Sequence, residues 1–548
     1  MPTLPSVLLH HAETIPDQLF TRILKKGVVE KTRTFAEAWE WAAQWAALYA
    51  ERGIRRGDAV MLALPNCDAF AGAFFGALML GAVPAPVAPL RRLNAEDSYL
   101  ATLVQRIRFL DAKAVVVPPE HTDTLSLPVS VLSESQVDPH SSFILHPSSF
   151  PDLGLIQFTS GTAGHAKAVM LSQRALLAQT EMLKQTLRLY DRFADWAVSW
   201  LPLFHDMGLI GFLLTPAYTG GSVTLLPAEE FVLHPNSWLK ALTDTRATIT
   251  GGPPSAYALC ARRTKDADVA NYSLGAVRVA LVGAEAVTRE SMESFAKKFG
   301  AAGFRRSSLM PTYGLAECSL AVTMPPLDTG PEWDTVEAAS HAEGVAQPVK
   351  DETSAPRNVR YFAAVGVPMP ETSVAIVNET GERLPERRVG EIIINSPSLM
   401  NGYWGGEGDA LREGWLWTGD VGYVAGGKLF ITGRKKEVII VGGRNFYPDD
   451  VEQTVSAVRG VRAERVVAVG VEDAGRGTEA LVVLAETDPA EPVERDALRL
   501  AIRRALLAAG FPVSEVVLLK PKSIQSTLTG KLKRQESKAR YLAGEFGA

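Results

Sequence analysis

With 548 residues, 47% hydrophobic and 21% charged, the chain has ordinary globular usage, which excludes a largely disordered protein, and it is too long for a single hydrophobic core. A net charge of −5 excludes any global attraction to nucleic acid or anionic lipid, so an anion it binds is held by local groups. Its three cysteines, Cys67, Cys260 and Cys318, lie far apart without metal-ligand spacing, and a reducing, cytoplasmic setting is the expectation.

The first residues, Met-Pro-Thr-Leu-Pro-Ser-Val-Leu-Leu-His-His, carry neither the basic start nor the long apolar run of a signal peptide. Thr34-x-x-Glu37 is a capping box opening a helix with Ala38, Trp41, Trp45 and Leu48 on one face and Gly53 at its close. Asp58 to Leu64 reads as a strand stopped by Pro65-Asn66. The uncharged run from Ala69 to Leu90 is long enough to span a bilayer, but its Ala and Gly content and Pro84, Pro86 and Pro89 favour a buried helix near 69–80 and a buried strand near 82–87. No membrane span is expected. A helix through Leu100, Leu103, Val104 and Ile107 and a strand at Ala114–Val117 continue the βα alternation, which argues for parallel sheets covered by helices. Residues 118–152, rich in Pro, Ser and His, read as a loop-rich connection.

Phe158-Thr-Ser-Gly-Thr-Ala-Gly-His-Ala-Lys167 follows. Gly161 and Gly164 let the backbone approach an anion closely, Thr159, Ser160 and Thr162 donate hydroxyl protons, and Lys167 adds a positive charge. That inventory suits a polyphosphate, although the same composition also makes a plain glycine-rich hairpin turn. The spacing departs from the Gly-x-x-x-x-Gly-Lys-Ser/Thr of a Walker loop, and a strand rather than a helix follows. Ser172 caps a helix to about Leu187. In Trp200-Leu-Pro-Leu-Phe-His-Asp-Met-Gly-Leu209, His205 and Asp206 form an acid/base pair only if the two side chains face each other; a histidine shaping a pocket wall is the other reading. Thr250-Gly-Gly-Pro-Pro254, Val277–Val282 leading into Gly283-Ala-Glu285, and Pro311-Thr-Tyr-Gly-Leu-Ala-Glu317 are glycine-marked strand ends, where doubly wound folds place ligands. Tyr313-Gly314 can stack on and admit a flat base, and Glu317 is a hard oxygen ligand suited to Mg²⁺.

Residues 325–365 change to Pro, Thr, Ala and charges with little periodicity, as in an insertion or surface excursion. Val374–Val377, Gly390–Ile394 and Lys428–Ile431 read as strands of a smaller β-rich unit, and Thr418-Gly-Asp420 with Thr432-Gly-Arg-Lys-Lys436 puts a carboxylate and a guanidinium at neighbouring strand ends. Asp is the residue type that accepts both ribose hydroxyls, and Arg supports the same sugar or a phosphate. Past Lys436 lies a unit of about 110 residues, near the usual size of one domain. It carries a strand at Val438–Val441, a turn at Gly442-Gly443, a helix entered through Pro448 and strands near 465–470 and 479–485. Ser523-Ile-Gln-Ser-Thr-Leu-Thr-Gly-Lys531-Leu-Lys-Arg534 presents Lys531 after a flexible glycine, either as a mobile point charge or as part of a basic tail.

Together, Phe158–Lys167, Trp200–Leu209, Gly283–Glu285, Tyr313–Glu317, Thr418–Asp420, Thr432–Lys436 and Thr529–Lys531 resemble the ordered core motifs of the adenylate-forming superfamily of acyl-CoA synthetases, peptide-synthetase adenylation domains and luciferases. The order and spacing cover nearly the whole chain. Within that superfamily it looks most like the fatty acyl-AMP ligases, through residues 200–209, through Gly-Arg-Asn-Phe-Tyr-Pro-Asp-Asp at 443–450, and through the irregular run from Ser340 to Pro348 and on to Val365-Gly366. Ala163, His165 and Ala168 depart from the superfamily's usual glycine loop, and the segment before Lys531 lacks the common Pro; neither departure removes a charged or hydroxyl group.

The resemblance implies an α/β fold: a large N-terminal part of doubly wound sheets over 1–435, with an insertion at about 330–366 and a β-rich subdomain at about 367–433, then a small mobile α+β domain over 436–548. It implies an enzyme that uses ATP and Mg²⁺ to turn a fatty or related carboxylic acid into acyl-AMP and pyrophosphate, then gives the acyl group to an acyl carrier protein's phosphopantetheine thiol. Rival readings are a fatty acyl-CoA synthetase using free coenzyme A and a non-catalytic acyl-nucleotide binder. By the same resemblance, Thr159, Ser160, Gly161, Thr162, Gly164 and Lys167 cradle the β- and γ-phosphates, and Glu317 holds the metal. Gly283, Ala284, Glu285, Tyr313, Gly314 and Leu315 belong to the adenine side, and Asp420 and Arg434 to the ribose. Lys531 bridges the substrate carboxylate and the α-phosphate, Lys436 is the hinge, and His205, Met207, Ile210, Gly252 and Tyr257 line the acyl site, with His205 also counted as catalytic beside Lys531 and Glu317.

Overall fold

The computed structural model describes residues 2–89, 96–143, 152–159, 167–191, 195–349, 359–406, 410–441, 444–473, 478–488, 492–526 and 532–546. Two parallel-type sheets form its larger part. One has four parallel strands in the order Val83–Pro86, Ala59–Leu62, Ala114–Val116, Ser130–Leu132. The other has seven, in the order Leu309–Pro311, Val279–Val282, Ile249–Gly252, Trp196–Ser199, Ser222–Leu225, Leu19–Lys25, Val28–Thr34, parallel throughout except for the last pair.

Local chemistry sets the helices that cover these sheets. At the start of Phe35–Glu51 the Thr34 hydroxyl accepts from Glu37 N at 3.3 Å and the Glu37 carboxylate accepts from Thr34 N at 2.8 Å, the reciprocal capping read from the sequence. This helix buries Ala38, Ala42, Trp45, Ala46 and Tyr49 against Asp68–Leu80, where glycine permits the approach: a Cβ at Gly76 would lie 2.6 Å from Trp45 Cβ and 2.7 Å from Ala42 O. Asp68–Leu80 is buried almost all round, as a helix apolar on every side must be. It stops at Gly81, whose φ of +83° is the left-handed turn that glycine takes without strain. The apolar run from Ala69 is therefore a core helix and a core strand, and among the described residues no helix is long and apolar enough to cross a membrane.

Three regions differ from the sequence expectation. The hairpin Leu19–Lys25 with Val28–Thr34 is absent from that expectation; its outer strand is exposed along most of its length, so it lacks the buried alternation that marks a strand. In the stretch that reads as loop, Ser130–Leu132 adds a fourth strand to the smaller sheet, too short to show a period. The expected excursion near 325–365 contains a ladder of Trp333–Glu337 with Val359–Ala363 and the short helix Ala338–Ala342. Its Val336, Ala346, Phe362 and Ala364 pack with Tyr423 and Phe430. Polar groups hide that core in the sequence. Arg360 is buried, with Nη1 2.9 Å from His341 Nδ1 and 2.9 Å from Asp450 Oδ2. Burial, with the Arg360 charge beside it, pushes the His341 ring down to about 3, so the neutral ring accepts from the guanidinium.

Ser373–Val377, Gly390–Asn395, Trp415–Ala425 and Lys428–Arg434 form an antiparallel ladder, with Leu411–Arg412 beside Trp415–Ala425. Beyond it, Val461–Asp473, Thr478–Thr487 and Val513–Leu519 make a separate three-stranded sheet. Val466 and Ala468 enter one apolar cluster with Ile439, Phe446, Val451 and Val455, while Val467 and Val469 enter another on the opposite face, the period-two signature of a strand buried on both sides.

Candidate active site

The strand ends that the sequence marked with glycine are neighbours. Gly252 is in register with Val282, and Val282 with Pro311, so Gly252, Gly283 and Thr312 meet at the carboxyl edge of one parallel sheet, the usual place for a ligand in such folds. A Cβ at Gly283 would lie 3.0 Å from Thr312 Oγ1. Ala284 has φ +69°, a left-handed conformation that costs a non-glycine residue about 1 kcal/mol or more and clusters at functional positions. Glu285 Oε2 accepts from Ser255 N at 3.4 Å.

Tyr313 turns back across that edge and donates its hydroxyl to Asp420 Oδ2 at 2.7 Å. Asp420, 5% exposed, stands opposite Arg434 on the paired strand, and Arg434 Nε lies 3.0 Å from Asp420 Oδ1. The carboxylate and guanidinium placed at neighbouring strand ends by sequence thus form a direct pair, and Asp420 is the chief reason the Arg434 guanidinium is held above its usual range. Leu315 N donates to Leu320 O at 2.8 Å. Gly314 is forced by this turn: a Cβ there would fall 1.8 Å from Leu320 O and 2.7 Å from its carbonyl carbon. Gly314→Ala is therefore expected to cost on the order of 3 kcal/mol by overpacking against fixed backbone, visible as a lowered thermal unfolding midpoint; an unchanged midpoint contradicts this packing.

Glu317 follows one turn later, its backbone carbonyl accepting from Met400 N at 2.8 Å and its Oε1 accepting from the Tyr403 hydroxyl at 2.9 Å. Burial raises the Glu317 carboxyl, with Tyr403 and the Arg434 charge opposing and the Asp206 charge adding to the shift. Such a carboxylate fits a divalent cation, which relieves its buried charge. Among the described residues no group of three or more His, Cys, Asp or Glu side chains could hold a metal ion, and Mg²⁺ at nucleotide sites commonly takes only one or two protein carboxylates beside phosphate oxygens. Lys167 Nζ lies 4.1 Å from the centre of the Tyr403 ring. No motif in the sequence singles out Tyr403.

The glycine-rich segment joins Leu153–Phe158 to Ala168–Ser172, an antiparallel hairpin as expected, and Thr159 N donates to Lys167 O at 2.9 Å across its mouth. Ser160, Gly161, Thr162 and Gly164 lie outside the described residues, as does Lys531. On either side of that lysine's segment Ser526 pairs with Leu532. Lys436 sits in the turn after Arg434, where Glu437 N and Val438 N both donate to Arg434 O at 2.9 and 3.0 Å.

His205 and Asp206 do face each other: Nδ1 is 2.6 Å from Oδ1, which also accepts from Met207 N at 2.6 Å. The residues expected to line an acyl site do not all share one side of the sheet. Gly251, not Gly252, faces Met207 Cε and Phe212 Cζ, at 3.0 and 3.1 Å from an added Cβ; Gly252 faces Trp200, Trp238 and Ala256 on the other side, because successive strand residues alternate. Tyr257 belongs with that second face, its ring 5.2 Å from Trp238 and its hydroxyl donating to Leu281 O at 3.0 Å. Met207 and Ile210 lie in Met207–Leu214, a helical segment of π type, which often marks functional positions. A largely apolar cavity touches its Gly211 and Phe212 and is bounded also by Leu183, Leu187, Ile249 and Leu281; Met207 and Ile210 are not in its lining.

Comparison with known proteins gives concordant matches. Residues 10–404 match the model of the AMP-binding enzyme family. A protein of Caulobacter vibrioides (strain NA1000 / CB15N), provisionally named an acyl-CoA synthetase, is 31% identical over 95% of this chain and 92% of its own length. The medium-chain fatty acid–acyl-carrier-protein ligase JamA of Moorena producens (strain JHB) is 31% identical over 95% of this chain and 92% of its own. A solved structure from work on fatty acyl-adenylate ligases of E. coli and L. pneumophila superposes with a TM-score of 0.89 at 30% identity, covering 100% of this chain and 98% of that one.

Proposed function

Because the chain belongs to the AMP-binding enzyme family and is an ATP-dependent, acyl-adenylate-forming ligase, we propose that it is a fatty acyl-AMP ligase that activates a medium- or long-chain acid and passes the acyl group to the phosphopantetheine thiol of an acyl carrier protein. The observation that carries this reading is the run of contacts from Tyr313 through Asp420 to Arg434, beside a second run from Glu317 through Tyr403 to Lys167. A ring and a carboxylate for a nucleoside stand next to an acid and an ammonium for its phosphates. The largely apolar cavity beside Gly211 and Phe212 supports an aliphatic acid.

In the first half-reaction an ionised carboxylate oxygen of the acid attacks the α-phosphorus; that P–O bond forms as the bond to the β-phosphate oxygen breaks and pyrophosphate leaves. No proton has to move, so the protein's task is positioning and neutralisation of charge. Asp420 accepts from the ribose hydroxyls, Arg434 steadies Asp420 and the sugar, and Lys167 with the 159–167 segment meets the terminal phosphates. Glu317 would hold Mg²⁺, which when bound would supply charge neutralisation to the pyrophosphate. Lys531 bridges the attacking carboxylate and the α-phosphate. Rotation at Lys436 then swings residues 436–548 away from 1–435 and withdraws Lys531. The thiol attacks the acyl carbonyl, the anhydride C–O bond breaks, AMP leaves, and the thiol proton passes to solvent.

Transfer to free coenzyme A is the second reading, favoured by the name of the Caulobacter relative. Pyrophosphate exchange across a panel of fatty and aryl acids tests the first half-reaction, and a long aliphatic acid should give the highest rate. Offering the preferred acid with coenzyme A or with a phosphopantetheinylated carrier protein, and weighing the thioester by mass spectrometry, tests the second. Thioester on coenzyme A alone overturns the carrier-protein reading; no exchange with any acid overturns the whole.

A further inference from the structure

Tyr403 reaches the site by a route that no local motif announces. Asn401 N donates to Met170 O at 2.8 Å, and Gly402–Tyr403 then pairs antiparallel with Met170 and Val169. The chain after residue 400 thereby becomes the third strand beside the hairpin that carries the glycine-rich segment. Gly402 makes the entry possible with a φ of +121°, which other residues rarely adopt. The outcome is a phenol, 7% exposed, whose hydroxyl donates to Glu317 Oε1 and whose ring lies under Lys167 Nζ.

One side chain thus touches both charged groups that flank the phosphate position. We propose that Tyr403 is a positioning residue for adenylation: its hydroxyl aims the Glu317 carboxylate at a divalent cation, while its ring holds the Lys167 ammonium on the hairpin side, facing the terminal phosphates. The two tasks are chemically separable. A hydrogen bond to a carboxylate needs the hydroxyl; an ammonium over a ring face needs only the ring. A cation–ring contact is also weak enough for a polyphosphate to draw the ammonium off it, so Lys167 is stored near its working position without being trapped. This inference rests on the adenylate-forming reading of the same site.

The separation supplies the test. Tyr403→Phe keeps the ring and removes the hydroxyl; Tyr403→Leu removes both. In pyrophosphate exchange, Tyr403→Phe should raise the Mg²⁺ concentration for half-maximal rate about tenfold and leave KM for ATP within about twofold of wild type, since the ring remains. Tyr403→Leu should raise the Mg²⁺ requirement equally and also raise KM for ATP roughly fivefold, with Phe at this position restoring the latter. Titration of Mn²⁺ into protein holding a nonhydrolysable ATP analogue, followed by electron paramagnetic resonance, gives the same comparison without turnover: weaker Mn²⁺ binding in both variants, weaker analogue binding in Leu alone. Unchanged Mn²⁺ affinity in Tyr403→Phe, or equal loss of analogue affinity in Phe and Leu, overturns the proposal. Absence of exchange in the wild type would sink the reading of the reaction instead, and the binding titration would still decide the role of Tyr403.

Discussion

Asp420→Ala is expected to lower acyl-dependent pyrophosphate exchange by about 10²–10³-fold, chiefly through a higher KM for ATP, because two hydrogen bonds from a ribose to a charged acceptor contribute roughly 3–4 kcal/mol together. The side chain is buried, accepts from the Tyr313 hydroxyl and pairs with Arg434, so truncation also leaves a phenol without its acceptor. The fold should survive. Arg434 keeps 44% of its side chain exposed and stays hydrated when its partner goes, so its share of the stability cost is about 1 kcal/mol or less, and the stranded Tyr313 hydroxyl adds about 1–3 kcal/mol. Asp420→Asn separates shape from charge: its amide oxygen still accepts from Tyr313, but it no longer attracts Arg434 and accepts more weakly from a sugar hydroxyl. An intermediate loss of about tenfold follows from halving the strength of charge-assisted bonds. If Asp420→Ala exchanges pyrophosphate with an unchanged KM for ATP, the ribose does not sit at this carboxylate.

The contrast between Asp420 and Tyr403 shows how far the sequence can be read. Asp420 and Arg434 stand in short motifs at strand ends, and their residue types alone announce sugar and phosphate chemistry. The alternating strands, the capping box at Thr34 and the left-handed close at Gly81 are legible for the same reason: each is determined within one turn or one strand. Tyr403 enters through a register with Val169 far away in the chain, and pairing of that kind leaves no local trace. The sides of the sheet are equally hidden. Gly251 and Gly252 are adjacent and alike in sequence, yet only the packing of Met207–Leu214 on one face and Trp238 on the other decides which of them faces Met207. The orientation of His205 toward Asp206 depends in the same way on the turn that Pro202 O makes with His205 N. Within 333–363, buried Arg360 donates to His341 Nδ1 and pairs with Asp450, and polar letters that meet in space read in a sequence as solvent-facing.

Lys531→Ala is expected to reduce formation of acyl-AMP by about 10²–10³-fold, the usual loss when one fixed donor to a developing charge is removed, while binding of ATP falls by less than about threefold, since the remaining contacts to the nucleotide are untouched. The residues around the lysine argue that its presentation is built in. Ser526 pairs with Leu532 on either side of residues 527–531, and Arg534 is clamped by Glu437 Oε2 at 2.6 Å, Glu452 Oε1 at 2.8 Å and Asp449. Glu437 directly follows the proposed hinge residue Lys436. On the proposed hinge, a rotation there would carry Glu437 and Arg534 together, and the proposed delivery and withdrawal of the ammonium would follow from that one movement. The two half-reactions should therefore respond differently to Lys531→Ala. Thioester formation from acyl-AMP supplied ready-made should proceed at close to the wild-type rate, because in the proposed cycle the lysine leaves before the thiol attacks. Equal loss in both half-reactions would mean that Lys531 supports the architecture of residues 436–548 rather than the transfer to AMP; wild-type rates in both would remove it from the chemistry altogether.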